Sequence, residues 1–179
     1  SNTVRAEVHY YQEAGYLPEA MVNFLARIGW AHGDEEIFSV QRLVEVFDIP
    51  AIGKSSGKFD QKKLDATNQH WIKVKPFDDL VAALRPFAAK RGWTLPEGKT
   101  LEQMISCTRD RSVTLVQMLD SLAFWFADEP AWDEKAVEKN VKGKGEQLRD
   151  LGEVLAKVEP FDNAAVEAAL KAWGEAKQM

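Results

Sequence analysis

Hydrophobic residues recur three and four positions apart along most of the chain, which is the spacing of one face of an α-helix. Pro18 suits the first turn of such a helix, because its missing N–H would have no partner there. Ser39, Asp60 and Asp162 each precede an apolar segment and can cap its first turn. The predicted stripes are Met21, Phe24, Leu25 and Ile28; Val40, Leu43, Val44 and Phe47; Leu64 and Trp71; Leu80, Val81, Leu84 and Phe87; Leu101, Met104 and Ile105; Leu115, Met118, Leu119, Leu122 and Phe126; Leu148, Leu151 and Leu155; and Val166, Leu170 and Trp173.

Glycine and proline divide these stripes into separate helices. Gly29 ends the first stripe, residues 48–58 form a loop, and Pro130 ends a strong helix that reaches Phe126. No alternating pattern of a strand accompanies them, so the sequence predicts an all-α fold. The basic stretch described below ends at residue 75 and a new helix starts at Pro76. We therefore expect two domains, 1–75 and 76–179.

Charge is unevenly distributed along the 179 residues, whose net charge is −5. Between residues 53 and 75 lie six lysines and only two aspartates, although the whole chain is acidic. A basic stretch on an acidic protein can contact phosphates. It can also be a solvated helix face that keeps the protein soluble, and the residues alone favour this second interpretation.

Catalytic and metal-binding patterns do not assemble in the sequence. The three histidines lack metal-ligand spacing, and Cys107, the single cysteine, has no evident partner as a nucleophile. Gly53, Lys54 and Ser55 imitate the end of a phosphate-binding loop, but Asp48 stands where its first glycine is needed. No apolar run reaches the roughly 20 residues of a membrane span. We expect no catalytic residue, no metal and no membrane partner, and a reducing, cytoplasmic location.

One run of residues carries a more specific signal. Residues 15–20 read Gly-Tyr-Leu-Pro-Glu-Ala and residues 23–30 read Asn-Phe-Leu-Ala-Arg-Ile-Gly-Trp. Ile-Phe-Ser follows at 37–39, and Phe59, Asp60, Lys63, Leu64 and Asn68 come later. This order and spacing resembles the region after the catalytic lysine signature of bacterial-type glutamyl-tRNA synthetases. The similarity covers residues 8–75 well and residues 100–126 more loosely. The helical pattern favours the glutamyl branch over glutaminyl-tRNA synthetases, which carry β-barrels there.

The resemblance implies a helical stem-contact domain followed by part of a helical anticodon-binding bundle. It implies tRNA(Glu) as the partner, with tRNA(Gln) left open, and a monomer. The intact enzyme would use ATP with Mg²⁺ to attach glutamate, whereas this segment would lack the catalytic fold, hold no cofactor and be inactive alone. A helical protein–protein scaffold without tRNA binding is the alternative. The candidate tRNA-binding residues are Lys54, Lys58, Lys62 and Lys63 for phosphates, and Arg109 and Arg111 nearer the anticodon, where a capping or salt-bridge role is the alternative.

Overall fold

Helices form the regular structure of the chain. The computed structural model describes residues 8–53, 57–129 and 132–177, and within them β-structure is limited to an isolated bridge between His32 and Glu35. The all-α prediction is confirmed. In chain order the α-helices are α1 (Val8–Glu13), α2 (Pro18–Ala26), α3 (Val40–Val46), α4 (Gln61–Val74), α5 (Phe77–Lys90), α6 (Lys99–Arg109), α7 (Leu115–Ser121), α8 (Glu134–Asn140), α9 (Gly145–Leu155) and α10 (Asn163–Ala176).

The chain divides into two compact units, Ser1–Asp128 and Glu129–Met179. The predicted domain boundary at residues 75–76 lies inside the first unit and stays a prediction. Among the described residues, no helix is long and apolar enough to cross a membrane.

Local signals set the helix starts as the sequence predicted. Pro18 occupies the first position of α2, and the Ser39 hydroxyl accepts a hydrogen bond from Arg42 N at 3.0 Å. The Asp60 carboxylate accepts from the backbone N–H groups of Lys62 and Lys63, and Asp162 caps α10 in the same way. Each cap satisfies N–H groups that have no partner within the helix.

The predicted helix through Phe126 is shorter in the structure. After Ser121, α7 gives way to a 3-10 turn at Ala123–Trp125. Leu122 N and Trp125 N each donate to the carbonyl three residues earlier, at 3.0 and 2.9 Å. The tighter winding brings Phe126 onto Trp93, where the rings stack with centroids 4.6 Å apart. Apolar spacing alone does not distinguish this turn from a further α-helical turn.

Two short helices were not predicted. α1 buries Tyr11, which is 5% exposed, although its sequence lacks a long apolar stripe. α8 lies in the charged segment after Pro130, and the Asp133 carboxylate caps it by accepting from Ala136 N at 2.9 Å.

The main core of the first unit joins helices from both ends of that unit. Residues of α2 and α4 pack with those of α5, α6 and α7. A smaller cluster holds Tyr11, Met21, Phe24 and Leu64 beneath α1. The main core consists of Leu17, Ala20, Ile72, Leu80, Val81, Leu84, Ala88, Leu95, Leu101, Ile105, Leu115, Met118 and Leu119.

Gly15 marks a close approach between the turn after α1 and the start of α7. Its backbone has φ of +84°, and its carbonyl accepts from Leu115 N at 3.0 Å. A Cβ there would lie 2.7 Å from Val116 N, closer than atoms can pack. Glycine is therefore required both for the left-handed backbone and for the contact.

The second unit contains α8, α9 and α10, and none of its described residues is buried. The predicted stripe of α9 forms a helix, yet Leu148 stays 44% exposed. α9 and α10 are linked by Asp150, which accepts from Trp173 Nε1 at 2.7 Å and pairs with Lys177 at 3.0 Å.

Candidate nucleic-acid interface

The start of α4 presents free lysines. Lys58, Lys62 and Lys63 are exposed, and their ammonium groups make no hydrogen bond or ion pair with other described residues. Asp60 lies among them, but its carboxylate is directed to the N–H groups of the helix start. The positive end of the helix dipole adds to the charge of the lysines. This surface can attract an anion without first breaking an internal ion pair.

A cleft of about 360 Å³ separates two of these lysines from the end of α2. Lys58 and Lys63 line it together with Arg27. The Arg27 guanidinium is held in place, because it donates to Glu35 O at 2.5 Å and to Glu36 Oε1 at 3.4 Å. Glu36 also lines the cleft, so the positive charge there is partly balanced. Lys58 and Lys63 are cations of this cleft without a hydrogen-bond or ion-pair partner among the described residues.

The other lysines of the basic stretch differ in their surroundings. Lys54 lies outside the described residues. Lys73 is exposed near the end of α4, whereas Lys75 is only 15% exposed and pairs with Glu19 at 2.5 Å. Lys75 is therefore committed to an internal contact. The free cations that the structure describes in this stretch are Lys58, Lys62, Lys63 and Lys73.

The Glu19–Lys75 pair shifts the carboxyl group toward its charged form. Burial acts to raise the pKa of Glu19, but hydrogen bonds from Lys75 and from the backbone N–H of Glu19 outweigh it and leave the pKa below its ordinary value. Glu19 Oε2 has no hydrogen-bond partner. The Glu19–Lys75 pair is therefore an internal contact at the edge of the core. It is not part of an anion-binding surface.

The structure separates the two predicted arginines. Arg109 donates from Nε to Ile72 O at 3.0 Å and from its guanidinium to Lys75 O, so it satisfies carbonyls at the end of α4. Arg111 is exposed, and its side chain makes no hydrogen bond or ion pair with the other residues described. Of the two, Arg111 alone has a guanidinium available to a ligand.

Sequence reasoning did not find Arg27 as a member of the cleft or Asn68 as a buried link. Arg27 belongs to the run that carries the resemblance, but its place in the cleft depends on a turn that folds back on α2. Asn68 belongs to the resemblance, but the sequence did not predict its burial or its hydrogen bonds. No group of three or more His, Cys, Asp or Glu side chains could hold a metal ion in the part of the chain that the structure describes.

Two protein-family models match the chain. Residues 79–179 match the anticodon binding domain. Residues 1–66 match the catalytic domain of class I tRNA synthetases for glutamate and glutamine. The described residues of the second match include α1, α2, α3 and the start of α4, together with Lys58, Lys62 and Lys63. Fold and matches together define a portion of a class I aminoacyl-tRNA synthetase.

Curated relatives identify the branch. The glutamate–tRNA ligase of Geobacter sulfurreducens is 44% identical over 162 residues, covering 90% of this chain and 35% of that protein. Glutamate–tRNA ligase 1 of Syntrophus aciditrophicus is 39% identical over 168 residues, covering 93% of this chain and 36% of that protein. The chain belongs to the glutamyl-tRNA synthetase family, as the resemblance predicted.

A solved structure has the same fold. The glutamate tRNA ligase from Elizabethkingia meningosepticum, crystallised in complex with its amino acid, superposes with a TM-score of 0.78 at 24% identity. The match covers 94% of this chain and 34% of that one. The chain thus spans about a third of the length of the relatives that it matches.

Proposed function

We propose that this chain binds tRNA(Glu) through phosphate contacts at the start of α4 and through its anticodon-binding region. The observation that carries the proposal is the set of unpaired lysines, Lys58, Lys62 and Lys63, on a chain whose net charge is negative. Phosphate contacts of this kind set register and orientation without reading base sequence. Arg111 is the candidate for a contact nearer the anticodon, and Arg109 supports the fold.

Within a whole synthetase of this family, such binding would position the tRNA for ATP-dependent attachment of glutamate in the cytoplasm, with Mg²⁺ as the metal. The described residues offer no cluster that fits a metal ion. We propose that the contribution of this chain is binding energy remote from the reacting atoms. We expect no ATP–pyrophosphate exchange from the chain alone. We expect the choice between tRNA(Glu) and tRNA(Gln) to depend on contacts with the anticodon.

The test is a titration with tRNA(Glu) at several salt concentrations. Phosphate binding predicts that log K falls linearly with log salt, with a slope of roughly −0.7 to −0.9 per contact. Replacing Lys63 by Glu should weaken binding to all tRNAs and reduce the slope by about 1. Lys73→Glu is the matched control, because it makes the same charge change on the same helix away from the cleft.

Equal losses in Lys63→Glu and Lys73→Glu would show that total charge matters more than the cleft, and would remove the site from the proposal. Absence of tRNA binding by the unchanged protein at low salt would contradict tRNA binding itself. The helical protein–protein scaffold would then be the better interpretation, since the acidic second half and the lack of catalytic residues agree with it.

A further inference from the structure

The last three turns of α4 form a polar junction between the two regions that the family models cover. Residues 67–78 belong to neither match. Four side chains make the links of this junction, and each one joins residues that are at least 34 positions apart in sequence. They are Asn68, Gln69, Lys75 and Arg109.

Asn68 is the buried centre of the junction and has no exposed surface. Its Oδ1 accepts from Leu17 N at 2.8 Å, and its Nδ2 donates to Val113 O at 2.5 Å. One amide thus ties the start of α2 to the turn before α7. A buried amide that loses either partner leaves a polar group unsatisfied, so alternative arrangements of the three segments are unfavourable.

Arg109 fixes the other end of the junction. It extends from the end of α6 to the final carbonyls of α4, those of Ile72 and Lys75. A cation is favourable at a helix C-terminus, where carbonyls lack partners within the helix. Gln69 adds a bond from Nε2 to Asp110 O at 3.0 Å, one residue further along. The turn after α6 is therefore held to α4 by two neighbouring side chains.

The apolar core beneath these bonds is continuous. Ile72 of α4 and Leu17 lie in the same buried cluster as Ile105 of α6 and Leu115 of α7. Close-packed interiors resist sliding, because a shift opens voids and forces side chains out of their rotamers. The polar hydrogen bonds favour one position of α4 relative to α2, α6 and α7. The close-packed core opposes any shift away from that position.

The lysines at the start of α4, Lys58, Lys62 and Lys63, lie at the opposite end of this helix from the partners of Arg109. From Lys63 to Ile72 the helix rises by roughly 14 Å, at 1.5 Å per residue. We infer that α4 is a rigid spacer that holds the lysine surface at a fixed distance from the helices that open the anticodon-binding region. Asn68 and Arg109 are positioning residues in it. The inference rests on the proposed tRNA binding and adds that the links made by Asn68 and Arg109 fix the distance between the two binding surfaces.

Simultaneous contact has a measurable consequence. When two surfaces on a stiff support bind one ligand, the second contact forms at high effective concentration. Loosening the support lowers this concentration while each separate contact keeps its own affinity. A defect in the spacer therefore weakens a ligand that spans both surfaces more than a ligand that fits one.

The experiment compares three RNA probes on the 179-residue chain: intact tRNA(Glu), a short blunt RNA duplex without a loop, and the anticodon hairpin. The variants are Arg109→Lys and Arg109→Ala. Arg109→Lys keeps the positive charge but lacks the guanidinium that donates to both Ile72 O and Lys75 O. In both, affinity for tRNA(Glu) should fall by about tenfold or more, while affinities for the duplex and hairpin stay unchanged. Lys63→Glu is the contrasting variant, and it should weaken the duplex and the tRNA but spare the hairpin.

Circular dichroism and thermal unfolding establish that each variant is folded, and Arg109→Lys is the informative one if Arg109→Ala is not. Parallel losses for all three probes, or no loss for tRNA(Glu), would overturn the spacer. If the unchanged chain binds none of the probes, the proposed tRNA binding fails and the spacer fails with it. If it binds the duplex and hairpin as tightly as tRNA(Glu), tRNA binding stands and only the spacer is refuted.

Discussion

Two asparagines in the run that first indicated the family have internal partners. Asn23 is 1% exposed; its Oδ1 accepts from Phe38 N at 3.1 Å and Trp71 Nε1 at 3.2 Å, and its Nδ2 donates to Glu36 O. Asn68 is likewise fully used. Polar residues in a family motif therefore need not touch the ligand. Here they fix the turn and helix that carry the lysines.

Glu19→Gln should lower the free energy of unfolding at pH 7 by roughly 1–2 kcal/mol, less than for a fully buried pair because Glu19 is a third exposed. The pKa of Glu19 is lowered in the folded state. Its contribution is therefore present above the unfolded-state pKa and is lost as pH falls through the folded one. Urea unfolding at a series of pH values should show the difference from the unchanged protein shrinking in acid.

Glu13→Gln is the control for that measurement. Glu13 forms an exposed pair with His9, so its removal should change stability little at any pH. A Glu19→Gln difference that stays constant down to acid pH would show that the carboxylate charge is not what stabilises the fold.

Gly15→Ala should be one of the most destabilising single-methyl additions in the first unit. It combines a positive φ with a Cβ position 2.7 Å from Val116 N. Gly92→Ala is the matched variant, because Gly92 also has a positive φ but open space around its Cβ position. We expect about 1–2 kcal/mol for Gly92→Ala from backbone strain alone, and a larger loss for Gly15→Ala. Equal losses in thermal or urea unfolding would show that the contact with α7 relaxes freely.

At the scale of elements, local signals predicted more than long-range ones. Pro18, Ser39, Asp60 and Asp162 act within one turn, so the sequence contains all that is needed to place these helix starts. The roles of Arg109 and Lys75 depend on partners 37 and 56 residues away, and no spacing rule contains that information. The same limit applies to the cleft, whose walls meet only after α2 and α4 have packed.

Substitutions of Asp60 can separate two effects of its carboxylate, namely capping of α4 and negative charge in the cleft. Asp60→Asn keeps a good capping side chain and removes a negative charge beside Lys58 and Lys63. Stability should change by only a few tenths of a kcal/mol, and RNA affinity at low salt should rise. Asp60→Ala should instead cost about 1 kcal/mol, because two N–H groups of α4 lose their acceptor. Weaker RNA binding by a folded Asp60→Asn protein would indicate that phosphates do not approach this cleft.

At the scale of the whole molecule, buried side chains are concentrated in the first unit. Its main core joins five helices, whereas no described residue of the second unit is buried. Exposed aromatic residues, Trp132 at 72% and Phe161 at 71%, add to the contrast. Because apolar burial is the main stabilising contribution to folding, the two units should differ in local stability.

Amide hydrogen exchange followed by mass spectrometry should resolve that difference along the chain. Peptides from α4, α5 and α7 should exchange slowly, since their opening exposes the main core, and peptides from α9 and α10 should exchange at least about tenfold faster, a gap of roughly 1.4 kcal/mol. Asp150→Ala removes the acceptor that links α10 to α9, so it should speed exchange in those two helices and leave α4 unchanged. Equal protection in both units would mean that contacts other than apolar burial stabilise residues 129–179. Faster exchange of α4 in Asp150→Ala would show that the units do not open independently.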